Sequence, residues 1–564
     1  MDPAVRALVR CTVDLLALAQ GRCIELPSIM KGHVRRMTSS SIDSARPEPE
    51  SEGRKPKRRF FQRFLDIVEK GGNKLPHPAT LFALLALFVV VLSWVFSRLD
   101  VAVDAPGTGE RVEVNNLLSQ SGLESMFTSA VDNFIGFAPL GVVLATMLGI
   151  GMAEQSGLIG TALKSFITSI PKTLITGAIV FAAIMSSVAS DAGYVVLPPL
   201  AAILFMALGR HPLAGIAAAF AGVSAGYSAN LLLSGTDVLL GELTIEAAGT
   251  LDPEYADQMN LAMNWWFIIV STVLLTVVGT LVSQFVVEPR LGEWKGEGVL
   301  TSDDSASLKV SSVEKKGLLW AGISLVITLA LMALLIVPQN APLRGEDGGV
   351  VQSPFMDSLV IVIIVAFFVP GLVYGIVTRV VRNDTDVVNL LSKTLAGMAV
   401  FLVLAFTAGQ FIAYFEESNL GTVISVLGAE YLDASNLTGL PLVLAFIAFV
   451  ALVNLFVGSA SAKWAMMAPV VVPIMMQLGY SPEFTQAAYR VSDSATNILS
   501  PLMTYFALVI AVAQKYDKKI GIGSLISVML PYSLWFMGTW TAMLLGWMAL
   551  DIELGPNAPI YYTP

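Results

Sequence analysis

Long apolar segments recur along the chain and restrict it to one class of fold. Nine of them are long enough to cross a bilayer as an α-helix: residues 79–98, 134–153, 213–235, 262–287, 317–337, 358–378, 394–414, 484–514 and 522–549. Such a crossing needs about 20 apolar residues. Charged residues make up only 14% of the 564 residues, against roughly 25% in soluble domains. These observations predict an all-α integral membrane protein with nine transmembrane helices.

Two further apolar regions are too irregular to be simple spans. Residues 159–210 and 439–480 each contain two short apolar arms around a small or polar centre, at 186–193 and 458–464. Irregular backbone at membrane depth is tolerated only where it is buried in protein or lines a water-filled cavity. We therefore predict two re-entrant hairpins.

The distribution of Lys and Arg sets the orientation. If residues 1–75 form a cytoplasmic, disordered, basic tail, the predicted external loops contain only Arg98, Arg111 and Arg344, and the other loop cations lie on the cytoplasmic side. This is the bias found in membrane proteins. It makes the two hairpins enter from opposite faces. Treating either hairpin as one full span breaks the pattern, whereas treating it as two full spans does not, so that alternative stays open.

A weak internal repeat agrees with this layout. Pro198, Leu208 and Pro212 of the first half match Pro469, Leu478 and Pro482 of the second at a nearly constant offset. Inverted repeats are typical of secondary transporters. The predicted organisation is the tail (1–75), a first span and external loop (76–133), repeat 1 (134–287), a cytoplasmic loop with scaffold spans (288–393), repeat 2 (394–550) and an external C-terminus (551–564). Each repeat contains a span, a hairpin, a broken helix (213–235 or 484–514) and a second span.

The second broken helix carries the densest set of intramembrane polar residues. Pro501 predicts a helix break near 496–500, because proline removes a backbone donor and crowds the preceding turn. Arg490 and Asp493 are three residues apart and share a helix face. They are either a buried ion pair that fixes packing or a site for a substrate carboxylate or a proton. Intramembrane charges usually mark transport pathways, which favours the second interpretation.

The first half offers a symmetric set of polar residues. These are Ser187, Ser190 and Asp191 at the hairpin tip, followed by Ser228, Asn230 and Asp237. Hydroxyl and amide oxygens are hard ligands. We therefore predict a cation site from Ser228, Asn230, Thr496 and Asn497, with sodium between the two asparagines. The alternative for these residues is helix–helix hydrogen bonding, and the alternative for Asp237 is a solvated loop acid.

The tip of the second hairpin adds Lys463 and Trp464. Trp464 could stack on an aromatic substrate or act as an interfacial anchor. Lys463 could pair with a substrate carboxylate or with a neighbouring Asp, or could extend to the interface. The chain has no Walker A, GxGD or HExxH pattern. The function classes that remain are therefore a secondary transporter, a passive facilitator or channel for small organic anions and, least favoured, an intramembrane enzyme.

Several of these stretches together resemble one family. Residues 458–465, 478–482, 486–490, 493–497, 501–503 and 514–518, with 190–194 and 226–231 in the first half, are similar to the AbgT family of bacterial p-aminobenzoyl-glutamate transporters. The resemblance covers roughly residues 60–550. It implies a homodimer in the inner membrane, with nine spans and two hairpins per subunit. The family's functional positions fall on Asp237, Ser461, Trp464, Pro482, Arg490, Asp493 and Pro501, with Asp191 as a competing match for Asp237.

The resemblance also implies a substrate class. It points to p-aminobenzoyl-glutamate or p-aminobenzoate-like aromatic carboxylates, with sulfonamide antimetabolites exported by some members. Together with the residues above, this predicts an ion-coupled secondary active transporter that works by alternating access, with Na⁺ or H⁺ as coupling ion, no other cofactor and no nucleic-acid partner. The residues alone distinguish neither the ion nor the direction of transport.

Overall fold

The computed structural model describes residues 76–104, 111–189, 192–294, 310–345, 353–434, 438–500, 503 and 505–563. All of them belong to one compact unit, Arg59–Pro564. The predicted tail, Asp191 and Pro501 lie outside the described residues.

The described chain is almost entirely helical. Its α-helices are α1 (Pro78–Arg98), α2 (Gln120–Thr128), α3 (Ala130–Ile135), α4 (Ala138–Gln155), α5 (Leu158–Ser169), α6 (Ile175–Met185), α7 (Ala192–Ala207), α8 (Pro212–Phe220), α9 (Gly235–Gly249), α10 (Pro253–Ala256), α11 (Trp265–Val282), α12 (Glu288–Leu291), α13 (Ser312–Leu334), α14 (Pro354–Asp357), α15 (Leu359–Thr378), α16 (Asp384–Gly397), α17 (Ala399–Glu417), α18 (Leu420–Ala434), α19 (Gly439–Asn454), α20 (Ala460–Gln477), α21 (Pro482–Asn497), α22 (Phe506–Gln514) and α23 (Ile522–Ala549). Short 3₁₀ turns cover Lys172–Leu174 and Ser186–Ala189, and π-helical turns cover Ala221–Ala225 and Ser283–Val287.

Seven helices among the described residues are long and apolar enough to cross a membrane. They are Pro78–Arg98, Ala138–Gln155, Trp265–Leu291, Ser312–Leu334, Leu359–Thr378, Ala399–Glu417 and Ile522–Ala549. Their outer faces carry large apolar side chains, such as Leu319 and Val326 of α13, both more than half exposed. A helix satisfies its own backbone hydrogen bonds, so such a face can contact lipid. The prediction of a helical membrane protein is confirmed, and the count of nine spans stays a prediction.

The first predicted hairpin region has more parts than expected. The sequence predicts two arms over 159–210, but the structure divides this region into α5, α6 and α7. The helix pair Leu158–Ser169 and Lys172–Val188 is bent by 118° at the junction. The physical reason is Pro171, which disfavours helical backbone at the preceding residue. The two short helices on either side of the predicted tip are therefore α6 and α7.

Helix breaks also occur where the second half was expected to be irregular. α19 ends at Asn454 and α20 begins at Ala460. Ser459 caps α20, because its Oγ accepts a hydrogen bond from the backbone N–H of Ala462 at 3.3 Å. α21 ends at Asn497, within the segment in which a break is predicted. In the first half, the π-turn after α8 leads into non-helical residues 226–234.

The all-α expectation needs one small correction. Residues Ala102–Asp104 (β1) and Arg111–Glu113 (β2) form an antiparallel pair in which Val103 lies opposite Val112. The alternation of valine along 101–103 and 112–114 is the pattern of half-buried strands. Asn419 then joins the pair to the α17–α18 turn by donating from Nδ2 to the carbonyl of Glu113 at 3.0 Å.

Close helix packing depends on glycine at one interface. A Cβ at Gly149 of α4 would lie 2.5 Å from Cα of Ile364 in α15, and a Cβ at Gly371 would lie 2.7 Å from Cα of Ala153. Small residues let backbones approach this closely, which gains packing where the hydrophobic effect contributes little.

The C-terminal segment is folded against the helices. The backbone N–H of Ser481 donates to the carbonyl of Ile560, and that of Tyr562 donates to the carbonyl of Gly479, both at 3.0 Å. The Tyr562 hydroxyl donates to Oδ2 of Asp252 at 2.6 Å, and burial raises the pKa of this phenol. The segment therefore fixes the turn that precedes α21.

Candidate functional site

α21 is buried along its whole length although it is strongly polar. All of its residues from Pro482 to Asn497 are buried. Pro482 occupies the first helical turn, where its missing N–H costs nothing. Ser481 caps the helix by accepting from the backbone N–H of Phe484 at 3.0 Å. The charged side chains of α21 cannot reach water, so their partners must lie inside the protein.

Arg490 pairs with Asp237 of α9. Its Nη1 lies 2.6 Å from Oδ1 of Asp237. The other carboxylate oxygen, Oδ2, accepts from the backbone N–H and from the hydroxyl of Ser234, both at 2.7 Å. Asp237 is only 4% exposed. The solvated-loop alternative for Asp237 is therefore wrong, and so is the alternative in which Arg490 pairs with Asp493.

A hydrogen-bond chain extends from this pair. Arg490 Nε donates to Oε1 of Gln486 at 3.2 Å, and Gln486 Nε2 donates to Oγ1 of Thr244 at 2.7 Å. The indole N–H of Trp464 donates to the same hydroxyl at 2.9 Å. Asn264 Nδ2 donates to Gln486 Oε1 at 2.5 Å. The sequence analysis missed Thr244 and Asn264. Gln486 lies in one of the stretches that resemble the family, four residues before Arg490. This helical spacing could have indicated that the two side chains are in contact.

Lys463 and Asp493 form a second buried ion pair. Nζ of Lys463 lies 2.5 Å from Oδ1 of Asp493, and the two side chains are 0% and 1% exposed. Nζ also donates to Oδ1 of Asn454. The other Asp493 oxygen, Oδ2, is buried with no hydrogen-bond partner among the described residues. Lys463 thus pairs with a neighbouring Asp, which was one of the predicted alternatives.

Asn454 connects this second pair to the end of α19. Its Nδ2 donates to the carbonyl of Asp493 at 2.5 Å and to Oγ1 of Thr496 at 2.7 Å. The sequence analysis did not single it out. The only signal was an amide in the last turn of an otherwise apolar arm. Asn454 therefore holds the first helix of the second hairpin region against α21.

The predicted cation-site residues fall into separate groups. Asn230 donates from Nδ2 to Oγ of Ser187 at 2.9 Å. The backbone N–H of Ser228 donates to Oγ of Ser494 at 3.2 Å, which joins the irregular segment of the first half to α21. Thr496 accepts a hydrogen bond from Asn454, as described above. Asn497, 7% exposed, lines a cavity instead.

That cavity has a volume of about 200 Å³ and lies where the two halves meet. Residues from the second tip, the end of α21 and the first half line it: Gly458, Ser459, Ala460, Ser461, Asn497, Met503, Tyr505, Tyr194, Tyr227, Thr236 and Leu239. Of the predicted site residues, Ser461 and Asn497 reach it. The hydroxyl of Tyr227 lies 2.9 Å from that of Thr236, next to the Arg490–Asp237 pair. A polar cavity beside two buried ion pairs is the candidate substrate site.

Trp464 lies away from this cavity. Its side chain is 0% exposed, and its ring centroid is 4.5 Å from that of Tyr489. The hydroxyl of Tyr489 donates to the carbonyl of Ala460 at 2.6 Å and lies 3.2 Å from Oδ1 of Asp493. Trp464 is therefore not an interfacial anchor. It joins the two polar clusters to each other.

Three relatives match most of the chain. A transport protein for p-aminobenzoyl-glutamate from Escherichia coli (strain K12) is 38% identical over 491 residues, 87% of this chain and 95% of its own. The crystal structure of the YdaH transporter of Alcanivorax borkumensis, described as having an unusual topology, has 44% identity and a TM-score of 0.80, covering 85% of this chain and 100% of its own. MtrF of Neisseria gonorrhoeae has 43% identity and a TM-score of 0.83, covering 88% and 100%.

The names of these relatives argue against the third function class, an intramembrane enzyme. MtrF is described as illuminating a class of antimetabolite efflux pumps, and the other two proteins are named as transporters, none as an enzyme. The sequence profile of the AbgT putative transporter family matches residues 63–562. This multi-pass helical membrane protein therefore belongs to the AbgT putative transporter family.

Proposed function

We propose that this protein is an ion-coupled secondary active transporter of p-aminobenzoyl-glutamate and p-aminobenzoate-like compounds, and that it also exports sulfonamide antimetabolites. The relatives named for p-aminobenzoyl-glutamate transport and for antimetabolite efflux support the substrate class. One observation carries the proposal. Helix α21 contributes Arg490 and Asp493 to two buried ion pairs, and these lie beside the cavity where the two halves meet.

The energetic cost of this arrangement supports a transport role. Moving an ion out of water costs several kcal/mol even after relaxation, and a buried pair often gains no net stability over apolar side chains. These two pairs nevertheless place two cations and two carboxylates in the core, and Oδ2 of Asp493 has no hydrogen-bond partner among the described residues. Groups held in this way are poised to exchange partners when a substrate or an ion arrives.

In this proposal the ion pairs are exchanged during transport. Arg490 binds the substrate carboxylate when its contact with Asp237 opens, and the hydroxyl of Ser461 contributes to the cavity wall. Asp493 responds to the coupling ion, because its Oδ2 has no partner among the described residues. Lys463 holds the other oxygen of Asp493. Pro482 begins α21, and Pro501 follows in the sequence as the residue predicted to break the helix.

The coupling cation is Na⁺ or H⁺. For sodium, we propose a site at the two breaks formed by Asn230 and Asn497, with Ser228 and Thr496 shaping it. The hydrogen bond between Ser228 and Ser494 supports this proposal, because it joins the first break to the last turn of α21, which ends at Asn497. Asp191 at the first hairpin tip is the second candidate for the coupling acid.

The proposal includes an architecture. It has nine spans and two re-entrant hairpins of opposite orientation, related by an inverted repeat, in a homodimer of the bacterial inner membrane with a cytoplasmic N-terminus. The junctions α6–α7 and α19–α20 support the hairpins, because each joins two short helices at a predicted tip. Binding at the interface of two such repeats is typical of secondary transporters.

Flux in proteoliposomes tests the proposal. Labelled p-aminobenzoate and p-aminobenzoyl-glutamate are supplied with a sodium gradient or a proton gradient imposed separately. We expect uphill movement with one gradient. We expect Asp493→Asn to abolish it, whereas Asp384→Asn, at an exposed position of α16, keeps it.

A different result would favour the second candidate function. A passive facilitator for small organic anions gives downhill flux that neither gradient makes uphill. If Asp493→Asn also left that flux unchanged, Asp493 would have only a structural role and ion coupling would be refuted.

A further inference from the structure

The geometry points to Tyr194 and Tyr505, not Trp464, as the side chains that hold the aromatic ring of the substrate. This inference rests on the proposed function and specifies the recognition of the ring at that site. Both tyrosines line the 200 Å³ cavity between the two halves. Neither residue was singled out in the sequence.

The two tyrosines stack on each other and form an aromatic wall of the cavity. Their ring centroids are 4.6 Å apart and their planes differ by 9°. Tyr194 stands in the first turn of α7, and Tyr505 immediately precedes α22. Tyr194 also makes an edge-on contact with Phe220, at 6.4 Å and 64°, which supports its ring. Because each ring covers a face of the other, a substrate ring would pack on an outer face or on the edges of this pair, which its own stacking preorganises.

The size of the cavity matches a single ring. A cavity of about 150 Å³ is enough to hold benzene, and drug-sized ligands occupy about 300–1,000 Å³. At about 200 Å³, this cavity accommodates a benzoate-sized ring with small substituents. The glutamyl part of p-aminobenzoyl-glutamate must then lie outside it in this conformation.

The polar side of the cavity suits a ring with a carboxylate. Ser459 and Ser461 line it, with their hydroxyl oxygens 3.3 Å apart. They stand at the N-terminus of the 18-residue helix α20. The aligned peptide dipoles make this end of a helix partly positive. One cavity thus combines an aromatic wall with hydroxyls and a helix end that favour an anionic group.

Trp464 cannot supply the wall in this conformation. Its indole is fully buried, packs on Tyr489 and donates its N–H to Thr244. Stacking on the substrate would require breaking these contacts. The resemblance places a functional role on Trp464, and the structure explains that role through its support of α21.

Binding of a matched ligand pair tests the inference. Benzoate and cyclohexanecarboxylate each carry one carboxylate on a six-membered ring, but only benzoate is aromatic, and p-aminobenzoate is measured beside them. Their affinities are measured calorimetrically on the full-length protein in detergent. The variants are Tyr194→Leu and Tyr505→Leu, with Tyr194→Phe and Tyr505→Phe as conservative partners. Tyr431→Leu, at a side chain that is 75% exposed, is the matched control.

We expect each leucine variant to reduce the preference for the aromatic ligand about two- to tenfold, the range of a single aromatic contact. The phenylalanine variants and the control should keep the wild-type preference. If folded leucine variants keep that preference while the wild type binds p-aminobenzoate, this inference is overturned and the proposed function stands. If the wild type binds neither p-aminobenzoate nor benzoate, the proposed function is overturned, and this inference with it.

Discussion

Replacing Lys463 by methionine should destabilise the protein far more than the loss of one surface lysine. Lys463 and Asp493 are both fully buried, and their charged atoms are 2.5 Å apart. Methionine has a similar length but carries no charge. Lys463→Met therefore leaves a buried carboxylate without its cation: Oδ1 keeps only the Tyr489 hydroxyl at 3.2 Å, and Oδ2 has no hydrogen-bond partner among the described residues.

The magnitude follows from two opposing terms. At 2.5 Å, two unit charges attract by about 7 kcal/mol at an effective dielectric constant of about 20. Removing each ion from water costs several kcal/mol, so the intact pair is close to balanced. Removing one partner keeps the desolvation cost of the other and loses the attraction. We therefore expect a loss of about 3–5 kcal/mol for Lys463→Met.

The double variant Lys463→Met/Asp493→Asn separates the pair from general packing. It removes both charges, so we expect it to recover most of the stability lost in either single variant. The measurement is the thermal unfolding midpoint in detergent, followed by tryptophan fluorescence. Lys316→Met, at an exposed position of α13, is the matched control and should leave the midpoint unchanged.

Two results would refute this reasoning. One is a Lys463→Met midpoint equal to that of the control, which would mean that water or another cation already compensates Asp493. The other is a double variant whose unfolding midpoint is no higher than that of the less stable single variant. In that case the loss would come from packing of the lysine stem and not from its charge.

Three other perturbations have clear expected outcomes. Gly149→Ala should cost about 1–3 kcal/mol by overpacking against α15, whereas Gly141→Ala, with no atom near the added Cβ, should be neutral or slightly stabilising in the same unfolding assay. Ser481→Ala should lower the unfolding free energy by about 1–2 kcal/mol, because it loses both a helix cap and a bond to the carbonyl of Pro559; an unchanged midpoint would contradict this. Arg490→Lys should lower p-aminobenzoate uptake about tenfold at normal expression, because an ammonium cannot keep both the Asp237 and the Gln486 contacts of the guanidinium; unchanged uptake would contradict it.

The sequence predicted the helices and many polar positions of the site. Length and hydropathy are properties of a single segment, so the long spans could be recognised without knowing their neighbours. The polar residues of α21 were conspicuous for the same reason, since no lipid-facing helix carries an arginine and an aspartate near its middle. Asn497 was identified in this way and Ser461 through the family resemblance, and both line the cavity.

The partners of these residues could not be predicted. Spacing places Arg490 and Asp493 on one face of α21, but it does not show which helix packs against each side chain. Arg490 reaches Asp237, which lies 253 positions away in the sequence, and Asp493 meets Lys463 of α20. Trp464 shows the same limit. Its position near a tip was visible in the sequence, whereas its orientation depends on Thr244 and Tyr489.

The C-terminal segment constrains which parts of the protein can move independently. Its residue Leu554 accepts a hydrogen bond from the backbone N–H of Phe267 in α11, and Tyr562 and Ile560 bond to the turn before α21. The C-terminal segment therefore links the start of α11 to the start of α21 through backbone hydrogen bonds. A hinge between these two helix starts would break the hydrogen bonds of the C-terminal segment in every transport cycle. Any hinge for the proposed alternating access must therefore lie elsewhere. The two helix starts and the last residues of the chain should travel as one rigid body.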